Sequence, residues 1–161
     1  MLVLGVAAEM SRPKRPTAYL VLVDTTTTPV DLNDLGSLPT ATHLFTSAAE
    51  DFPSILNHLA VDVRGWLRDR SVEAATVRRA DKRQRASNAD GPRYRLLTDG
   101  AITAAVREMV ETTYLRTGAE IANAWSSSLT VADMDKFGQQ LVDDAAYATA
   151  AAAALSCLPK P

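Results

Sequence analysis

Two apolar runs separated by a short basic turn govern how this chain can begin to fold. The first, Met1-Leu-Val-Leu-Gly-Val-Ala-Ala-Glu9, is answered by Thr17-Ala-Tyr-Leu-Val-Leu-Val-Asp24. Between them lies Met10-Ser-Arg-Pro-Lys-Arg-Pro16, in which turn formers and cations cluster. The two runs therefore read as the strands of a hairpin closed by a basic turn. Side chains alternate along a strand, so Ala7 and Glu9 face the same way.

Beyond the hairpin, Thr25–Thr28 and the stretch from Pro29 to Pro39 read as an irregular connection. A third strand is expected over Ala41–Thr46. Ser47-Ala-Ala-Glu50 has the form of a capping box, and Phe52, Ile55, Leu56, Leu59, Val63, Trp66 and Leu67 follow at helical spacing, predicting a helix that ends near Asp69. Glu73-Ala-Ala-Thr-Val77 reads as a buried strand, and Ala86-Ser-Asn-Ala-Asp-Gly-Pro92 as a loop. A second helix is expected to start at a Thr98 cap, to carry Ile102, Val106, Met109, Val110, Thr113 and Tyr114 as its apolar stripe, and to stop with Gly118 at C′. Ala119–Trp125 is a candidate fifth strand. Thr130-Val-Ala-Asp133 is a second capping signature, opening a helical region with Val131, Met134, Phe137 and Leu141 inward. That region continues or restarts through Asp143 and Asp144 into the alanine-rich stretch ending at Ala154. Alanine is the strongest helix former, and a face of small side chains lets a helix lie close to a sheet. No internal repeat is present.

At 161 residues with 47% apolar content, the chain suits one domain spanning residues 1–161. Its single cysteine, Cys157, offers neither a disulfide framework nor a thiolate metal site, and a reducing, cytoplasmic setting is expected. The opening apolar run lacks the basic leader and length of a signal peptide, and the Ala148–Ala154 tract is too short to span a bilayer, so no membrane partner is expected. The formal net charge of -2 does not announce nucleic acid. The distribution of charge says more. Seven of the 17 Lys and Arg residues, Arg78, Arg79, Lys82, Arg83, Arg85, Arg93 and Arg95, fall in one stretch, and Arg12, Lys14 and Arg15 sit in the first turn.

The element order strand, strand, strand, helix, strand, helix, strand, helix predicts an α/β fold: a five-stranded mixed sheet, with a three-strand antiparallel meander followed by parallel crossovers, flanked by helices. The opening Leu4-Gly5-Val6-Ala7, followed by a hairpin, resembles the start of RuvC-type members of the ribonuclease H-like superfamily, and the order of elements is that of the ribonuclease H-like fold. The resemblance covers nearly the whole chain. It implies acids from the first strand, the fourth strand and the last helix, gathered around divalent cations that activate water and stabilise the leaving oxygen of a phosphodiester.

The chain departs from that pattern at each place. Where the first strand should carry an acid it has Ala7, with Glu9 on the same face about 7 Å further along. At the fourth strand two registers are open. Counting back from the second helix places Asp81 at the acid position, whereas ending the strand with its apolar run places Arg78 there. The Arg78 register is preferred, because a buried central strand stays apolar to its end. A guanidinium there would repel a divalent cation but could hold a phosphate. In the last helix, Asp144-Ala-Ala-Tyr-Ala148 matches the acid followed by alternate alanines, and Asp143 precedes it, but the position one turn earlier is Leu141. Asp143 and Asp144 read equally well as caps of a restarted helix.

These departures favour a RuvC-like domain with a degenerate acidic site, acting as a nucleic-acid-binding or scaffolding subunit of a larger assembly. Its cations at positions 12, 14, 15, 78, 79, 82, 83, 85, 93 and 95 would contact phosphates of DNA or RNA, and Tyr94 would stack on a base. Two other readings stay open. One is an active nuclease using Glu9, Asp81 and Asp144, with Asp143 in support, in which Glu9 and Asp144 ligate Mg²⁺ or Mn²⁺. The other is a protein-interaction module whose basic loop docks on an acidic partner. A protein partner or a homodimer is compatible with all three. His43, His58, Trp66 and Trp125 are read as structural.

Overall fold

The computed structural model describes residues 1–12, 14–26, 30–31, 33–81 and 90–159. The hairpin forms as the apolar runs require: β1 (Leu2–Arg12) and β2 (Arg15–Asp24) pair antiparallel from Leu2↔Asp24 to Arg12↔Arg15. β3 (Thr40–Phe45) adds to the outer side of β2. The chain then crosses over through α1 (Phe52–Leu67) to β4 (Ala74–Arg78), parallel to β1, and through α2 (Asp90–Met109) to β5 (Thr112–Arg116), parallel to β4. Three helices close the fold: α3 (Gly118–Trp125), α4 (Val131–Leu141) and α5 (Ala148–Leu155). The strand order is β3-β2-β1-β4-β5, the five-stranded mixed sheet that the sequence predicts.

Alternation along the strands builds two cores. Leu4, Val6 and Ala8 of β1, with Leu20, Leu22, Ala75 and Val77, pack against Ile55, Leu59 and Val63 of α1 and Ile102, Ala105 and Val106 of α2. Val3 and Ala7, with Val21, Val23 and Ala74, face Ile121 and Trp125 of α3, Met134 and Leu141 of α4, and the alanines of α5. α5 lies hard against the sheet. A Cβ on Gly5 would stand 1.8 Å from the Ala150 carbonyl oxygen and 2.3 Å from the Ala154 nitrogen. The small side chains of α5 permit this approach, and Ala150 through Leu155 are all buried.

Five local expectations are corrected. α1 is capped by Asp51, whose carboxylate accepts from the Ser54 N–H at 2.9 Å, not by a Ser47–Glu50 box. The Ser47 hydroxyl instead accepts from the Ala49 N–H and bonds His58 Nδ1 at 2.9 Å. α2 starts at Asp90, eight residues before the expected Thr98 cap, with Pro92 in the first turn, where its missing N–H costs little. Thr98 lies inside the helix and donates its hydroxyl back to the Tyr94 carbonyl. Thr113 and Tyr114 belong to β5 rather than to the stripe of α2, and residues 119–125 are helical rather than a strand. Gly118 is not a left-handed C′ residue, since among the described residues no glycine has positive φ. It opens α3 behind a Thr117–Glu120 capping box. Among the described residues, no helix is long and apolar enough to cross a membrane.

Candidate functional site

β1, β4 and β5 run parallel, and β4 and β5 end side by side while β1 continues beyond them. The registers Tyr19↔Leu44, Ala7↔Tyr19, Ala7↔Arg78 and Arg78↔Arg116 place Leu44, Tyr19, Ala7, Arg78 and Arg116 in one row across the sheet, at the carboxyl ends of β4 and β5. Ligands of open α/β sheets bind at this edge. β4 therefore ends on Arg78, directly beside Ala7, and Asp81 lies three residues past the strand.

The Arg78 side chain, 13% exposed, is held in place. It donates to Asp81 Oδ2 at 2.8 Å, and Asp81 Oδ1 accepts from the Gly118 N–H at 3.0 Å. The guanidinium lies on Gly118 so closely that a Cβ there would stand 2.1 Å from Arg78 Nη1. A side chain at position 118 would therefore displace the guanidinium from its place over the start of α3. One carboxylate thus bridges the end of β4 and the first turn of α3, with the arginine as the third member.

The neighbouring cations are likewise engaged. Arg79 pairs with Glu120 at 3.3 Å, and the Thr117 N–H and hydroxyl, followed by Arg79, hold the Glu120 carboxyl below its usual range. Arg95 donates to Asp99 Oδ1 at 2.8 Å, while Asp99 Oδ2 accepts from the Ala80 N–H at 2.9 Å. Asp99 is 2% exposed, and burial pushes its pKa up against the opposing pull of Arg95, the Ala80 N–H and Arg78. No local pattern in the sequence marks this buried acid, which follows directly on Thr98, the expected helix cap. Arg116 donates to the carbonyl and hydroxyl of Ser156, whose hydroxyl donates to the Ala153 carbonyl and bonds Thr76. Cys157 joins this cluster through Thr76, and burial pushes its thiol up to about 11, against the Thr76 hydrogen bond and Arg116. It is held as a thiol.

The acids lie on the other side of the row. Glu9 is exposed on β1, two residues beyond Ala7. Asp144 caps the 3₁₀ turn Ala145–Tyr147 through the Ala146 N–H at 2.9 Å, so the capping role fits its geometry. Asp143 is exposed, lining a shallow depression with Thr40, Thr42 and Gln140, and Leu141 is buried in the core. Tyr19 stands among them, edge-on to Tyr147 at 5.2 Å, its phenol pKa raised by burial and then by Glu9, Tyr147 and Asp144. Asp81 is committed to Arg78.

In the hairpin, Arg12 and Lys14 are exposed and Arg15 donates to the Ser47 and Ala49 carbonyls. Arg93 is exposed and Tyr94 half-buried near the start of α2 rather than on a loop. Lys82, Arg83 and Arg85 lie outside the described residues.

This donor set does not suit a divalent cation at the β1–β4 ends. Ala7 offers no ligand, Arg78 brings a positive charge, and Asp81 is neutralised by it. Among the described residues, no three or more His, Cys, Asp or Glu side chains are grouped to hold a metal ion.

No family model and no curated protein matches the chain. Among solved structures it is similar to RuvC of Thermus thermophilus, at 15% identity and a TM-score of 0.64 over 97% of this chain and 92% of that one. It is also similar to T. thermophilus RuvC in complex with Holliday junction substrate, at 16% identity and a TM-score of 0.61 over 97% and 91% of the two chains. The chain has the RuvC-type, ribonuclease H-like fold.

Proposed function

We propose that this chain is a nucleic-acid-binding domain built on the RuvC-type fold, with a degenerate acidic centre, working as a binding or scaffolding subunit rather than as a nuclease. The observation that carries this reading is the direct pairing of Ala7 on β1 with Arg78 at the carboxyl end of β4, with Arg78 fastened by Asp81 and the start of α3. A two-metal mechanism needs carboxylates that converge on the attacking and leaving oxygens. An alanine beside an arginine already paired with Asp81 supplies no such carboxylates, and the guanidinium opposes a cation at that place. The similarity to a RuvC bound to Holliday junction substrate supports nucleic acid as the partner class.

The alternative is a nuclease built on Glu9, Asp81 and Asp144. Asp81 weakens it, since its two oxygens serve Arg78 and the Gly118 N–H. Cleavage assays on branched, flapped and hybrid substrates with Mg²⁺ or Mn²⁺ separate the readings. Purified protein is expected to bind these substrates in chelator and to leave them intact when metal is added. Metal-dependent cutting that Asp144→Asn abolishes would establish the nuclease instead.

A further inference from the structure

β1 and β2 run on past the rest of the sheet. β3 makes its last pairing at Ala18↔Phe45 and β4 at Ala7↔Arg78, but β1 and β2 stay paired through Glu9↔Thr17 and Met10↔Pro16 to Arg12↔Arg15. At the rise of an antiparallel strand the ribbon extends about 13 Å beyond its last three-stranded pairing. An isolated two-stranded ribbon is marginally stable in water, and this one is buttressed at two points. Arg15 donates to the Ser47 carbonyl at 3.4 Å and the Ala49 carbonyl at 2.5 Å, just before α1. The Lys14 ammonium stands 5.2 Å from the centroid of the Tyr94 ring on α2, and Phe52 of α1 meets that ring edge-on at 4.5 Å.

The ribbon tip is thereby set against the first turns of both helices, and Arg12 and Lys14 come to the same region of the surface as Arg93. Arg78, Arg79 and Arg95 are each paired with an acid, whereas Arg12, Lys14 and Arg93 have no ion pair among the described residues. Arg12, Lys14 and Arg93 thus bring positive charge without an ion pair to this ridge, as Arg68, Arg70, Arg107, Arg116 and Lys136 do elsewhere among the described residues. Its chemistry selects between single and double strands. Binders of single strands offer open aromatic faces for stacking, but Tyr94 is half-buried and already engaged by Lys14 and Phe52. What remains is a group of exposed cations, suited to positioning on a backbone.

We propose that the buttressed ribbon and the start of α2 form a docking ridge for the phosphate backbone of duplex nucleic acid, with Arg12, Lys14 and Arg93 touching the phosphates and Arg15 positioning the ribbon. This rests on the nucleic-acid reading above and adds the element and the strandedness. The test measures binding of a labelled duplex DNA of arbitrary sequence, and of one of its single strands, across a salt series. Wild type is compared with Arg12→Glu/Lys14→Glu, with the neutral pair Arg12→Gln/Lys14→Gln, with Arg93→Glu, and with Arg68→Glu, an exposed arginine at the far end of α1. Removing one cation from a phosphate weakens binding about tenfold at roughly 0.1 M salt and flattens the log–log salt slope by about 0.9. The charge-reversed pair is therefore expected to bind about a hundredfold more weakly and the neutral pair to follow in direction, with Arg68→Glu unchanged and the single strand bound no more tightly than the duplex. Wild-type affinity and slope in both ribbon variants and in Arg93→Glu would overturn the ridge while leaving the domain a nucleic-acid binder. So would an equal weakening in Arg68→Glu or a preference for the single strand. Failure of wild type to bind either probe at low salt would overturn the underlying reading together with the ridge.

Discussion

Gly5→Ala is expected to cost the fold more than about 3 kcal/mol, the upper part of the range for overpacking a tight core. The added methyl would sit 1.8 Å from the Ala150 carbonyl oxygen and 2.3 Å from the Ala154 nitrogen, both backbone atoms of α5 that no rotamer change can move aside. To admit it, α5 must lift off the sheet, and its alanines Ala150 to Ala154 would then surrender their packing against β1 and β2. The melting midpoint should fall by about 10 °C for a domain of this size. The same substitution at Gly65, inside α1, meets nothing within 4 Å and removes only the conformational cost of glycine in a helix. It should stabilise by about 0.5–1 kcal/mol. Thermal melts of the two variants side by side check this; Gly5→Ala melting with wild type would contradict the close α5 packing.

Asp99→Ala is expected to destabilise by about 2–4 kcal/mol, because it leaves Arg95 without its carboxylate and the Ala80 N–H without an acceptor. Asp99 joins α2 to the segment leaving β4, next to Arg78, so its removal should also loosen the row at the sheet edge. Its raised pKa sets the direction of the pH dependence. When the folded pKa lies above the unfolded one, the folded state holds the proton longer, and stability falls as pH rises from the unfolded value of 3.8 through the folded one. Urea denaturation of wild type and Asp99→Asn on either side of that window should show the wild-type advantage larger at the acidic end. An advantage that grows with rising pH would contradict burial as the dominant influence on this acid.

The sheet and its order are legible in the sequence because β1, β2, α1 and β4 carry long, unbroken apolar signals whose period is unambiguous. Around α2, β5 and α3 the local signals conflict. Val106, Val110, Thr113 and Tyr114 continue a helical spacing by coincidence, although Thr112-Thr-Tyr-Leu-Arg116 is β-branched and aromatic and forms an edge strand. Thr117 and Glu120 carry a capping-box pattern that marks the start of α3. Gly118 misleads because it opens α3 without a positive φ and lies under the guanidinium of Arg78. The same limit applies to the candidate site. That Arg78 ends the strand follows from apolar patterning, but that Asp81 turns back on it and that Asp99 is buried under Arg95 are tertiary facts with no local signature.

If the tethered Arg78, beside Ala7, takes the place of a metal centre, the wild-type chain should have no divalent site to fill. Isothermal calorimetry of Mn²⁺ into that chain tests this most directly. No saturable binding is expected up to millimolar metal, and no difference between wild type and Asp144→Asn. Saturable binding to wild type that disappears in Asp144→Asn or Glu9→Gln would contradict the replacement of the metal centre by an arginine.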